Sequence, residues 1–131
     1  MFPNHVDRTG YEYPAHGHLQ VDGVVPNTEF HHPTQLNANG EPAMPVIKNG
    51  LATGTTVGWL NGLKSLVRHY DRYGIDFISL ETTIVPYGER GAFSDSGDSG
   101  SVILDRKGRI VAVLTGGGGA NNETDVTFAT A

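Results

Sequence analysis

Cysteine is absent from this 131-residue chain, which excludes a disulfide-stapled scaffold and any zinc site built on thiolates. A small secreted domain would usually carry disulfides, so their absence favours an intracellular setting. The opening Met1-Phe2-Pro3-Asn4-His5 also lacks the charged start and apolar core of a secretory signal. No apolar run approaches the roughly 18 residues that a membrane-spanning helix needs. Positive charge is scarce, with 9 Lys and Arg against 14 Asp and Glu, a net charge of −5. That balance argues against nucleic acid or an anionic membrane as the main partner.

Glycine, by contrast, is abundant: 18 residues, joined by 7 prolines, the composition of many turns and short strands. The length fits one domain, and a chain of this size buries roughly 65–70% of its unfolded surface. There is no internal repeat, and the only low-complexity stretch is the glycine run Gly116 to Gly119. That run is not a phosphate loop, because no Lys-Ser or Lys-Thr follows it.

Alternation of apolar and polar residues predicts a strand from Leu19 to Val25, ended by Pro26. His31 through Gly40 reads as a loop. Ala43 to Lys48 and Thr55 to Leu60 read as a hairpin closed over Asn49-Gly50. Leu63 to Tyr70 fits either helical or strand spacing. Phe77 to Val85 is a strand ended by Pro86, and Asp125 to Ala129 is the last. Between them, Val102-Ile103-Leu104 and Ile110 to Thr115 form a hairpin whose tip, Asp105-Arg106-Lys107, reads as solvated. Six or more short strands at regular spacing predict an all-β fold, a single antiparallel barrel.

The densest chemistry lies in Phe93-Ser94-Asp95-Ser96-Gly97-Asp98-Ser99-Gly100-Ser101, just before that hairpin. Small residues on both sides of Ser99 let the backbone bend sharply and turn its amides toward a developing negative charge. Gly-Asp-Ser-Gly alone is also common in ordinary turns. A second signature stands upstream in Lys48-Asn49-Gly50-Leu51-Ala52-Thr53-Gly54, of the form Lys-x-Gly-x-x-Thr-Gly. The two in this order resemble the trypsin/chymotrypsin-like serine peptidases, and within them a fungal-type branch.

The resemblance implies a six-stranded Greek-key-like barrel over residues 19–131, the second of the family's two barrels, makes Leu63 to Tyr70 a strand, and reads Tyr13 to Thr130 as matching. Residues 1–18 are then an extension, loosely ordered until they meet a partner. It assigns Ser99 as nucleophile, Gly97 and Ser99 N–H groups as oxyanion hole, and Asp98 as the carboxylate that shapes the turn. In the family that carboxylate pairs with a new N-terminus or an arginine; here an arginine or backbone amides are expected. Phe93 and Ser94 correspond to the floor of the specificity pocket, and Thr115, Gly116 and Gly117 to its wall and substrate-pairing edge. Neither Phe93 nor Ser94 is acidic, which argues against cleavage after Lys or Arg, and Asp95 falls at a position less suited to that role.

The family's histidine pattern is missing. Asn4-His5-Val6 and Pro14-Ala15-His16 come nearest, but both precede the region that matches the second barrel. The base and its aspartate would come from another polypeptide, so the chain alone is expected to be inactive. The expected partners are a peptide or protein substrate once the site is completed, and either a second copy or a complementary chain. Metal is not expected: His16, His18, His31 and His32 offer no four-ligand set at zinc spacing, and His69 reads as a surface residue. No cofactor is expected. The competing class is a non-catalytic interaction module derived from a protease half-barrel; a carbohydrate-binding reading rests only on aromatics such as Trp59.

Overall fold

The computed structural model describes residues 20–37, 39–70, 74, 76–88, 91–118 and 126–131. The expected extension 1–18, with His5, His16 and His18, lies outside the described residues, as do Leu19 and Asp125. Among the described residues the elements are a short helix α1 (Asn27–His31) and six strands: β1 (Met44–Gly50), β2 (Gly54–Tyr70), β3 (Asp76–Pro86), β4 (Val102–Asp105), β5 (Ile110–Gly118) and β6 (Val126–Thr130). The strands close a barrel in the order β1-β2-β3-β6-β5-β4, all neighbours antiparallel. The connection from β3 to β4 crosses the barrel, which gives the Greek-key character. No described helix is long and apolar enough to cross a membrane.

The core explains why β1 and β4 read as continuous apolar runs. Val46 and Ile103 point inward, to a cluster with Leu60, Ile84, Phe93, Ala112, Leu114 and Ala129. Their neighbours Ile47 and Leu104 point to the other face, where Val57 and Ile110 cover them. A strand buried on both faces loses its alternation. The helix α1 contributes Phe30 to the inner cluster.

Leu63 to Tyr70 is strand, as the resemblance implied, continuous with β2 past an irregularity between Asn61 and Lys64. There β2 and β3 run beyond β1 and β6 as a two-stranded ribbon. Trp59 stacks on Tyr87, ring centroids 5.0 Å apart. No strand forms around Val21 to Val25. That segment makes a parallel bridge from Val24 to Ile110 and backbone bonds to Gly108 and Ile110. Gly23 adopts φ +103°, which breaks the pleat, and Val24 ends up 67% exposed while Val25 is buried.

The first hairpin turns one step later than expected. Asn49 and Gly50 lie within β1, paired with Thr55 and Gly54, and the turn is Leu51–Thr53, closing on Gly54 at φ +65°. Gly50 is glycine for a different reason: a Cβ there would collide with the Asp98 carboxylate.

The β4–β5 turn also departs from the sequence reading. Asp105 is not solvated but 2% exposed. Its Oδ1 accepts from the Lys107 and Arg109 amides at 2.9 and 2.8 Å, and Oδ2 accepts from Arg109 Nε at 2.9 Å. Arg109 reaches on to Glu29 of α1 at 2.6 and 3.1 Å. The carboxylate is buried because it caps its own turn and anchors the arginine that holds the helix.

Candidate functional site

Ser99 sits on the turn between the β3–β4 crossover and β4. The turn closes on itself through Asp98 N to Asp95 O and Ser101 N to Asp98 O, both 3.0 Å. Gly97 and Gly100 take φ of +105° and +88°, conformations that only glycine adopts without strain. Gly100 N donates to Leu114 O and Leu114 N to Ser101 O, at 2.8 and 2.9 Å, tying the turn to β5.

Asp98 beneath the turn is fully buried, so its carboxylate must be paired. Its Oδ1 accepts from Ala52 N at 2.8 Å and Thr53 N at 3.3 Å. Its Oδ2 accepts from Thr53 Oγ1 at 2.5 Å and Asp95 N at 3.1 Å. Lys48 Nζ, equally buried, stands 3.3 Å from Oδ2. The same ammonium donates to Thr53 Oγ1 at 2.6 Å and Gly54 O at 3.1 Å, and lies 5.6 Å from the Phe93 ring centre. The expected backbone amides are present, but the cation is a lysine and not an arginine.

Burial alone would raise the Asp98 pKa. The Thr53 hydroxyl and the amides of Asp95, Ala52 and Thr53 outweigh it and hold the carboxyl well below the usual range. Burial pulls the Lys48 ammonium down, and Asp98 offsets part of that. Lys48, Thr53 and Gly54 all belong to the Lys-x-Gly-x-x-Thr-Gly signature. The motif was visible in the sequence; that its lysine and threonine lock a carboxylate 45 residues or more downstream was not.

Above this lock, Ser99 is exposed and lines a cavity of about 390 Å³. One wall is β5, through Leu114 and Gly116 to Gly118; the other is the turn, through Ser94, Asp95 and Ser96. Ser94 Oγ hydrogen-bonds Thr127 Oγ1 of β6 at 2.7 Å. A side chain at Gly118 would press on the Phe128 ring. The N–H groups of Gly97 and Ser99 donate to no acceptor among the described residues, the state in which an amide is available to an incoming oxyanion.

The structure thus gathers Ser99, Ser94, Gly116 and Gly117 around one cavity. Phe93 is not there: it is 1% exposed and packs in the barrel core, its carbonyl held by Thr56 Oγ1 at 2.6 Å. Thr115 lies outside the lining, exposed, its Oγ1 donating to Phe128 O at 3.1 Å. Asp95, Ser96, Leu114 and Gly118 line the cavity without having been singled out as site residues. Among the described lining residues there is no histidine, and His31 and His32 are exposed at α1. Among the described residues no group of three or more His, Asp and Glu could hold a metal ion.

A closed six-stranded antiparallel barrel with this strand order is a chymotrypsin-like barrel. Among solved structures, the crystal structure of Cellulomonas bogoriensis chymotrypsin is similar, with a TM-score of 0.53 and 22% identity, covering 91% of this chain and 52% of that one. The chain therefore spans about half the length of that chymotrypsin, and at this identity the likeness is one of fold. No protein-family model matches the chain, and no curated protein matches it.

Proposed function

We propose that this chain is the nucleophile-bearing barrel of a serine endopeptidase, equivalent to the C-terminal half of a chymotrypsin-like enzyme and of the fungal-type branch. The observation that carries the reading is the exposed Ser99, beside a cavity, on a turn locked from below by the buried Lys48–Asp98 pair. A buried lock alone would not carry the reading, since Asp105 of the β4–β5 turn is buried and paired too; the exposed serine and the cavity above the Lys48–Asp98 pair do.

The reaction is acyl transfer. Ser99 Oγ attacks the peptide carbonyl, a base takes its proton, and the Gly97 and Ser99 amides receive the negative charge of the tetrahedral intermediate. The proton then goes to the leaving amine. In this reading the base and its orienting aspartate come from outside the barrel, so residues 19–131 alone turn over no peptide. Lys48 replaces the cleaved N-terminus or arginine that shapes the turn elsewhere in the family, so the hole is formed without an activating cleavage.

The partner is a histidine-bearing barrel or, failing that, a second copy of the chain. Val102 and Val113, paired across β4 and β5 beside the Ser99 turn, are each 40% exposed and give a partner apolar surface. Light scattering at micromolar concentration tests this, with association expected. A cleanly folded 14 kDa monomer would remove the physical motive for a partner.

A further inference from the structure

The inner face of the barrel runs on past the point where the barrel closes. Leu60 and Ile84 are paired and buried in the core. Along the same two strands follow Lys64 opposite Thr82, Leu66 opposite Leu80 and Arg68 opposite Ile78. Directly opposite residues share a face, so Leu66, Leu80 and Ile78 make one apolar patch, 69%, 63% and 58% exposed. On the other face Ser65, Val67 and Ser79 are half-buried and Glu81 is buried. Among the described residues β1 pairs with β2 no further than Leu60, so from Lys64 onward the outer edge of β2 carries no paired strand.

An open sheet edge is a template for a further strand, and a two-stranded ribbon gains much from a third. We infer that the β2 edge from Lys64 to Arg68 docks an extended segment of a partner protein, in which an aliphatic residue has an acid two positions away on each side. The charges select that occupant. Lys64 and Arg68 are both exposed and stand two residues either side of Leu66 on one face. A strand laid along the edge sets one side chain beside each of the three, so acids beside Lys64 and Arg68 and an aliphatic beside Leu66 match them. The pattern reads the same in both directions and fits parallel or antiparallel addition. A second copy does not fit: two-fold pairing of β2 about Leu66 puts Lys64 of each copy opposite Arg68 of the other, and like charges directly opposite are destabilising. The net charge of −5 disfavours an anionic membrane. The edge of β3 is less open, because Thr130 Oγ1 of β6 donates to Glu81 Oε2 at 2.9 Å. Leu66 lies 12 residues along β2 from Gly54, at the Ser99 end, roughly 40 Å of strand. Docking at the ribbon therefore leaves Ser99 open and does not depend on the protease reading.

The test is an amide-resolved NMR titration of the purified chain with two capped heptapeptides. In one, threonine alternates with Glu, Val and Glu; in the other, with Gln, Val and Gln. The Glu peptide is expected to shift the amides of residues 64–68 and, at low salt, to bind about fivefold more tightly than the Gln peptide. Lys64→Gln should shrink that preference and Lys64→Glu should abolish it, with the core amides unmoved in both. Equal binding of the two peptides to the unsubstituted chain would overturn the assignment, as would a preference that survives Lys64→Glu. Failure of both peptides to shift residues 64–68 would also overturn it, leaving Lys64 and Arg68 as guards against self-pairing. Shifts of these amides by phosphatidylserine vesicles and by neither peptide would overturn it in favour of a membrane face.

Discussion

The two turns that bracket β4 use one device for two ends. Each buries an aspartate that accepts at least one backbone amide from its own turn. At one end Asp105 is answered by Arg109, which carries the bond onward to Glu29 and pins α1 to the barrel. At the other Asp98 is answered by Lys48 and Thr53, and the chain above it leaves Ser99 exposed beside a cavity. The first lock ends in a helix clamp, the second in an exposed serine beside a cavity. A buried carboxylate is therefore not a mark of function by itself; what it holds open is.

The largest difference should appear at the Ser99 end. Lys48→Met leaves a buried, uncompensated carboxylate, and Asp98→Ala leaves a buried ammonium; each should cost on the order of 3–5 kcal/mol in denaturant unfolding. Acid should act through the same group. The unfolded aspartate titrates near about 3.9 and the folded Asp98 lower. Its stabilisation is thus complete above about pH 4 and is lost as pH falls through the folded value. Asp98→Asn should flatten the acid limb of the stability curve, and an unchanged limb would contradict the buried pairing.

Asp105→Ala comes next. Read as a solvated tip it would cost within about 0.5 kcal/mol. Its burial and its orphaned amides raise the expected cost to about 1–3 kcal/mol, measured by the same unfolding curves. A value near zero would mean that the turn opens to water. Glu29→Gln should be smallest, within about 1 kcal/mol, because Glu29 is 32% exposed and Arg109 keeps Asp105.

Most of the barrel was legible in the chain because strand periodicity and turn residues are local signals. Pro86 ended β3 as expected, and Val102 to Leu104 began the last hairpin where expected. What misled was glycine and aspartate. Gly50 looked like a turn residue but is glycine to admit the Asp98 carboxylate, a contact across 48 positions that no local pattern shows. Asp105 looked solvated because a charged tripeptide usually is, and only the fold brings Glu29 up to Arg109. At the site, Ser99 and the glycines of β5 were named from resemblance. Phe93 was misplaced because adjacent positions in an irregular turn need not face the same way, and its ring fell into the core.

The proposed chemistry is tested most directly by exposing the purified chain to a fluorophosphonate and mapping the modified residue by peptide mass spectrometry over hours. Oxyanion stabilisation without a base leaves a modest residual acceleration. Slow labelling concentrated on Ser99, in preference to Ser94, Ser96 and Ser101 and lost in Ser99→Ala, is the expected result. Labelling of Ser99 complete within minutes would contradict the proposal that the base comes from another polypeptide, and modification scattered over surface serines would contradict the nucleophile assignment.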